Sequence, residues 1–163
     1  MRELPSEKLD PRIKNVWRIN DAIWIIITFL CCFVPFAIAA AAEPDEGWIP
    51  IVLLAEAVVF GALLVLFVVI LPPIRHMRWR YQLNGDFLDI AKGIIWRKRY
   101  IIPFIRVQNT DTRQGPVLRM FGLSSVTVAT AAGEHEIPGI RTEQAEQLRD
   151  RAAELARIAR EDV

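Results

Sequence analysis

Residues 22–42 read AIWIIITFLCCFVPFAIAAAA and contain no charged side chain. As a helix, this stretch rises about 1.5 Å per residue and is long enough to cross the roughly 30 Å hydrocarbon core of a bilayer. The chain has 163 residues, 53% of them hydrophobic, and residues 22–71 hold only four charged residues, all acidic. This uneven distribution excludes an ordinary soluble globule, a disordered chain and a large multidomain enzyme.

A second apolar run, residues 48–71, follows at once, and we expect its helix to stop at Pro72-Pro73 because proline lacks a backbone N–H. The length of the first run and the presence of a second one weigh against a cleaved signal peptide. Five bases precede the first run, none lies between the runs and three follow the second. By the positive-inside rule, both ends of the chain are predicted to be cytoplasmic. The predicted segments are a cytoplasmic N-terminal segment at residues 1–21, a transmembrane hairpin at 22–71 with spans 22–42 and 48–71 and an acidic outer turn at 43–47, and a cytoplasmic domain at 72–163.

One acidic residue, Glu56, lies inside the second predicted span. An ionised carboxylate in a bilayer costs at least about 2.5–3.5 kcal/mol, so such residues usually face a partner or a water-filled cavity. Glu56 is therefore a candidate proton or cation relay, or a polar contact across an oligomer interface. Because the spans hold no base or His to pair with it, a protonated acid bonded to a neighbouring helix is the favoured alternative.

Beyond Pro73 the sequence changes to short alternating runs. Asn84-Gly85 is a strong hairpin signal between two such runs, and turn residues separate the others at spacings typical of an antiparallel barrel or sandwich. From Thr142 onward, apolar residues recur at helical spacing and predict a closing helix over residues 142–160. The predicted strands cover residues 77–83, 86–91, 94–102, 104–112, 124–130 and 134–137.

Two runs in this region, IPFIRVQNTD at residues 102–111 and QGPVLRMFGL at residues 114–123, resemble the signature of the bacterial PH-like membrane proteins. The resemblance extends over about residues 75–150. It implies a mainly-β PH-like barrel of about seven antiparallel strands, capped by the C-terminal α-helix, and it supplies no catalytic residue. The residues that carry the signature are Pro103, Arg106, Gln108, Asp111, Gln114, Gly115, Pro116, Phe121 and Gly122.

The signature residues also suggest local structure. Arg106, Gln108 and Asp111 are candidates for a buried polar network, and residues 114–116 for a rigid turn into a short helix that ends near Gly122. A structural use of these polar side chains is favoured over a ligand-binding one, because fold signatures commonly mark turns and packing.

Basic residues are concentrated after the second span. Those next to the membrane could attract anionic lipids of the cytoplasmic leaflet, at about 1 kcal/mol each, or could merely fix the topology. Those at residues 97–99 could form a head-group or acidic-partner patch, or a solvated strand edge that resists aggregation. The candidate lipid- or partner-binding residues are Arg75, Arg78, Arg80, Arg97, Lys98 and Arg99.

The chain has no phosphate-binding glycine loop, no nucleophile with an evident base and no spaced metal ligands, so we expect no enzyme activity, metal or cofactor. The expected function is a membrane-anchored interaction and assembly module at the inner face of a bacterial plasma membrane. The expected partners are the bilayer, with its anionic head groups, and either further copies of the chain or a second membrane protein, but no nucleic acid. The alternatives are a subunit of a membrane transport or peptide-export and resistance complex, and an anionic-lipid sensor.

Overall fold

The computed structural model describes residues 4–42 and 47–161, so most of the predicted acidic turn, residues 43–46, lies outside the described residues. The chain divides into two compact units. One unit combines the N-terminal residues through Val16 with the chain from Pro73 onward, and the other spans Trp17–Pro72. The helices are α1 (Ile13–Ala42), α2 (Ile49–Leu64), α3 (Leu71–Arg78), α4 (Pro116–Met120) and α5 (Thr142–Glu161), and the strands are β1 (Arg80–Leu83), β2 (Phe87–Lys92), β3 (Lys98–Pro103), β4 (Val107–Arg113), β5 (Leu123–Thr130) and β6 (Gly133–Arg141).

The unit Trp17–Pro72 is a pair of apolar helical segments. Aromatic side chains join them: the ring centroids of Phe29 and Phe60 lie 5.3 Å apart, and those of Phe36 and Trp48 lie 6.5 Å apart. Both helices are long and apolar enough to cross a membrane, as the sequence predicts. The first helix begins at Ile13, nine residues before the start of the predicted span at residue 22.

The second helix does not stop at Pro72-Pro73, and the prediction that it would was wrong. A π-helical turn, Val65–Ile70, precedes the two prolines, and α3 carries them in its first turn. In the π-helical turn the Leu71 N–H donates to the Leu66 carbonyl, five residues back. Prolines in a first helical turn lose little, because the N–H groups of that turn need no partner within the new helix. The helix therefore runs on to Arg78, and the first strand begins at Arg80, not at residue 77.

The β-rich unit contains six strands in its described residues, not seven. They form two three-stranded antiparallel sheets, β1-β2-β3 and β4-β5-β6, and the strand pairing among the described residues does not show closure of the expected barrel. The break lies between β3 and β4, where a 3₁₀ turn, Phe104–Arg106, follows Pro103. The outer edge of β1 carries an isolated bridge, in which Glu7 and Tyr81 exchange backbone hydrogen bonds of 3.1 and 3.0 Å.

Apolar side chains of both sheets form the core of this unit. The C-terminal helix α5 packs against β4, β5 and β6 and against the 3₁₀ turn, which confirms the predicted closing helix. Small residues on α5 permit this close approach, because Ala145 and Ala152 are buried without filling space that the sheet needs. The most buried large core side chains include Leu88, Ile90, Phe104, Val107, Leu123, Val126, Val128 and Ile137.

The N-terminal segment is part of the β-rich unit, whereas residues 1–21 were predicted as a separate segment. Leu9 and Ile13 are buried, and the Asp10 N–H donates to the Gly139 carbonyl at 3.0 Å. Gly139 adopts a φ of +65°, and a Cβ at this position would lie 2.3 Å from the Ile13 side chain. Only glycine therefore allows the segment to lie this close to β6.

Candidate functional site

The β2–β3 loop carries the most exposed apolar side chains of the β-rich unit. Ile95 is 84% exposed and Trp96 is 80% exposed, although both residues are large and apolar. Gly93 begins the loop with a φ of +117°, and a Cβ there would lie 1.9 Å from the Trp96 carbonyl oxygen. The chain thus turns back on itself at a position that only glycine can occupy, and the turn presents the two apolar side chains to the surroundings.

A cavity of 370 Å³ lies at the base of this loop. Its walls come from α3, from the first residue after it and from both ends of the loop. Lys92 lies over two aromatic rings, with its Nζ 5.8 Å from the Trp79 ring centroid and 5.4 Å from that of Tyr100. The cavity is lined by Arg75, Trp79, Lys92, Gly93, Ile94, Trp96 and Lys98, which gives it three basic side chains.

Only two of the six predicted basic candidates, Arg75 and Lys98, line this cavity. The exposed side chains of Arg78 and Arg97 lie outside its lining, as does the half-buried Arg80. Sequence reasoning missed Lys92 and Trp79 as members of the site. The signal that would have found Lys92 is the strand register, since Lys92 pairs with Lys98 across the β2–β3 hairpin.

Arg99, the remaining candidate, has a structural partner. Its Nη2 lies 2.6 Å from Oδ2 of Asp89, and its Nε donates to both carboxylate oxygens at 3.0 and 3.1 Å. Asp89 is only 3% exposed, and the hydrogen bonds that the Arg99 guanidinium donates to this carboxylate raise the pKa of Arg99. A buried carboxylate needs such a partner, so Arg99 has a structural role beside Asp89. Its part in binding a head group or an acidic partner stays a prediction.

A second, larger cavity lies between the edge of β3 and the β5–β6 turn, and its volume is 830 Å³. Ile101 and Ile105 line it and are nearly half exposed, at 44% and 46%. At one end, the rings of Tyr100 and His135 lie 4.7 Å apart and connect the two sheets. Burial, and then the charge of Lys92, lower the pKa of His135. We refer to this cavity as the intersheet groove.

The signature residues divide between this groove and the surface. Pro103, Arg106 and Gln108 line the groove, whereas Asp111 accepts a hydrogen bond of 2.8 Å from Asn109 on the exposed side of β4. Arg106, Gln108 and Asp111 are all exposed, so the buried polar network suggested by the sequence is not formed. Arg106 ends the 3₁₀ turn before β4, and Gln108 and Asp111 lie on β4, an edge strand with exposed side chains on both of its faces.

The remaining signature residues form a turn around α4. Gly115 precedes the helix, Pro116 occupies its first position and Gly122 follows it with a φ of +65°. The Gln114 side chain donates to the Leu123 carbonyl and to the Thr142 hydroxyl, both at 3.0 Å. Phe121 is half-buried beside this turn. These residues fix the start of β5 against the start of α5 and do not line either cavity.

Glu56 lies within α2, far in sequence from these residues. Both of its carboxyl oxygens are buried, and neither has a hydrogen-bond partner among residues 4–42 and 47–161. A buried polar group without a partner costs about 1–3 kcal/mol. The favoured interpretation, a hydrogen bond to a neighbouring helix, is therefore not met within the described part of the chain.

Comparison with known proteins agrees with this architecture. The bacterial PH domain family matches residues 22–156, a range that includes the apolar helices as well as both sheets. The chain belongs to the bacterial PH domain family. Along its whole length this bacterial PH domain protein is 37% identical to the UPF0699 transmembrane protein YdbS of Bacillus subtilis strain 168, over 165 residues that cover 100% of both chains. No solved structure matches it significantly. The predicted resemblance is thus confirmed, and the protein is a membrane protein with a PH-like domain.

Proposed function

We propose that this bacterial PH domain protein is a non-enzymatic, multi-pass anchor that holds an assembly site at the cytoplasmic face of the plasma membrane. The observation that carries the proposal is the intersheet groove, whose apolar wall of Ile101 and Ile105 is left uncovered on a unit tethered to two apolar helices. Among the described residues no group of His, Cys, Asp and Glu side chains could hold a metal ion. The groove suits a protein segment better than it suits a reaction.

The topology is supported by a contact between the segment that precedes the two apolar helices and the β-rich unit that follows them. The N-terminal segment, through Leu9 and Asp10, lies on the β-rich unit that comes after the second span. Segments in contact lie on the same side of a membrane, which requires an even number of crossings between them. With the base count of five, none and three around the spans, the positive-inside rule then places this unit in the cytoplasm.

Cysteine labelling tests the topology. A cysteine placed at Gly47, where a Cβ meets nothing within 4 Å, reports on the turn, and one placed at exposed Met120 reports on the β-rich unit. Both are made in a chain whose Cys31 and Cys32 are replaced by alanine. A membrane-impermeant maleimide added to spheroplasts should label position 47 and not position 120. Labelling of position 120 from outside would overturn the proposal.

Native mass measurement in mild detergent tests the assembly site. We expect particles that contain several copies of the chain or the chain with a second membrane protein. Ile101→Asp with Ile105→Asp should dissociate them, whereas Leu4→Asp with Met120→Asp, which adds the same two charges at apolar positions that are 71% and 76% exposed, should not. A wild-type monomer, or particles of unchanged mass in the groove variant, would contradict the proposal.

The orphaned carboxyl of Glu56 supports a second candidate function, participation in a transport or export complex. A buried acid with no partner among residues 4–42 and 47–161 is a group that could exchange a proton with water in a pathway formed by several copies. Proteoliposomes with an internal pH dye test this candidate. Flux above protein-free vesicles that Glu56→Gln abolishes, with the assembled mass intact, would support transport; wild-type vesicles that leak no faster than empty ones would exclude proton transport.

A further inference from the structure

We propose that the β2–β3 loop inserts into the membrane and that the cavity beneath it binds the phosphate of an anionic phospholipid. The loop supplies Ile95 and Trp96 as the inserting side chains, and the cavity supplies Arg75, Lys92 and Lys98 as the bases. This inference rests on the proposed membrane anchoring. It adds a ligand class and a contact surface that the assembly site does not involve.

The first support is the position of the cavity along the chain. Arg75 lines the cavity and lies in α3 only three residues after Pro72. Three helical residues rise about 4.5 Å, so chain connectivity alone keeps the cavity beside the point where the second apolar helix ends. Any ligand of this cavity must therefore be present at the membrane surface.

The second support is the chemistry of the loop tip. Ile95 and Trp96 expose apolar surface that water solvates poorly, and tryptophan is favoured at the level of the lipid head groups. Met77 of α3 is 62% exposed and adds apolar surface in the same juxtamembrane stretch. An apolar tip flanked by bases is the pattern of a segment that lies in the membrane interface.

The third support is the charge around the tip. Lys92, Arg97 and Lys98 flank it, and none of them has an acidic partner within 4.0 Å among the described residues. Arg99 lies next to them, but its charge is already compensated by Asp89. The uncompensated charge thus lies at the base of the loop, at the depth where lipid phosphates would be when Ile95 and Trp96 are inserted.

A protein partner fits this surface less well than a bilayer does. Such a partner would have to cover an isolated tip of two apolar residues, Ile95 and Trp96. A lipid leaflet satisfies the tip and the bases together, because it presents hydrocarbon and phosphate at fixed relative depth.

The depth of the loop is the direct test, and it uses the full chain in lipid nanodiscs. A spin label is placed at Ile95→Cys, with Met120→Cys as the control because Met120 is comparably exposed and lies outside the cavity lining. Cys31 and Cys32 are replaced by alanine in both chains. In discs of phosphatidylcholine with phosphatidylglycerol, we expect the label at position 95 to be shielded from an aqueous nickel complex and accessible to oxygen. The label at position 120 should show the reverse.

Equal nickel accessibility at the two positions would overturn the inference. A chain that fails to enter nanodiscs at all would instead overturn the proposed anchoring, so the two failures are distinguishable. Shielding that is equally strong in pure phosphatidylcholine would also overturn the assignment of an anionic phospholipid as the ligand, since phosphatidylcholine carries a phosphate but no net negative charge.

The phosphate site has its own variant pair. Lys92→Gln with Lys98→Gln removes two cavity bases, and Arg119→Gln with Arg151→Gln removes two exposed bases elsewhere on the same unit. Each base near an anionic surface strengthens binding about fivefold, so we expect the cavity variant to lower the inserted-to-aqueous ratio of the position 95 label by about 30-fold. The control variant should leave that ratio within about twofold. Equal effects of the two variants would overturn the site, and thermal unfolding of each variant checks that both remain folded.

Discussion

The Nε of Arg18 in α1 donates a hydrogen bond of 3.0 Å to the carbonyl of Val68, in the π-helical turn of the second helix. In an α-helix that carbonyl would accept from residue 72, and in a π-helix it would accept from residue 73. Both residues are proline and have no N–H. The guanidinium therefore satisfies a carbonyl that the second helix cannot satisfy in either register.

Arg18→Leu should accordingly destabilise the helix pair by about 1–3 kcal/mol, because it leaves the Val68 carbonyl without a partner. Unfolding by sodium dodecyl sulfate in mixed micelles, followed by circular dichroism, measures the loss. Pro72→Ala restores an N–H at the α-helical position, so the cost of Arg18→Leu should shrink in that background. Lys14→Leu, which removes a base just before Arg18, serves as the control; equal costs in the two backgrounds would show that Arg18 acts through something else.

Arg99 supports the fold through its ion pair with Asp89, whereas Arg97, two residues away, is exposed. Arg99→Gln leaves a carboxylate that is 3% exposed without its cation, so the β-rich unit should lose stability toward urea. Arg97→Gln, two residues away and exposed, should leave that stability unchanged within about 0.5 kcal/mol. Similar losses in the two variants would contradict the structural assignment of Arg99.

The lowered pKa of His135 gives a pH dependence with a definite sign. Because the folded protein binds this proton less tightly than the unfolded chain does, the contribution to stability is present above the ordinary histidine pKa of about 6.5 and is lost as the pH falls below it. Unfolding midpoints between pH 5 and 8 measure the effect, and His135→Gln should flatten that part of the profile.

Lys92 provides an independent check on the same histidine. Its charge contributes to the lowering, after burial, so Lys92→Gln should raise the pKa of His135 without restoring the ordinary value. An NMR titration of the imidazole in nanodiscs reads this directly. Arg119→Gln, on α4, is a charge-matched control and should leave the titration midpoint where it was. A titration that Lys92→Gln does not move would show that burial alone sets the pKa.

Gly139→Ala should release the N-terminal segment, because the new Cβ would overlap Ile13 and the φ of +65° disfavours any side chain. We expect a loss of about 1–3 kcal/mol in the stability of the β-rich unit. Trypsin should also cleave faster after Lys8. Gly85→Ala is the control, since a Cβ there meets nothing within 4 Å. Cleavage at the wild-type rate in Gly139→Ala would contradict the proposed role of this glycine.

The sequence predicts features that depend on neighbouring residues and misses those that depend on distant ones. Apolar length located both spans, and alternation located the strands with errors at some of their starts. The first strand starts at Arg80 because α3 continues past the prolines, and the third starts at Lys98, not at residue 94. The continuation depends on the π-helical turn and on Arg18, some fifty residues earlier in the chain. No local pattern reports such a contact.

The same distinction holds for the candidate site. The consecutive bases at residues 97–99 suggested one patch, yet successive strand residues point to opposite faces. Arg99 faces Asp89 on β2, whereas Lys98 pairs with Lys92 beside the cavity. Strand alternation alone would have separated the two bases. The contribution of Arg75 and Trp79 to the same cavity required the packing of α3 against the hairpin, which the sequence does not specify.

The contact between Asp10 and Gly139 has a consequence for biosynthesis. The residues around Asp10 leave the ribosome before the two apolar helices do. The surface of β6 on which they pack is translated only after both helices. If the helices span the bilayer as proposed, the N-terminal segment can pack on the β-rich unit only after both helices have inserted into the membrane. A chain that inserts a single helix would have its N-terminal segment and its β-rich unit on opposite sides of the membrane. Leu9 and Ile13 would then be exposed to solvent and to quality-control proteases.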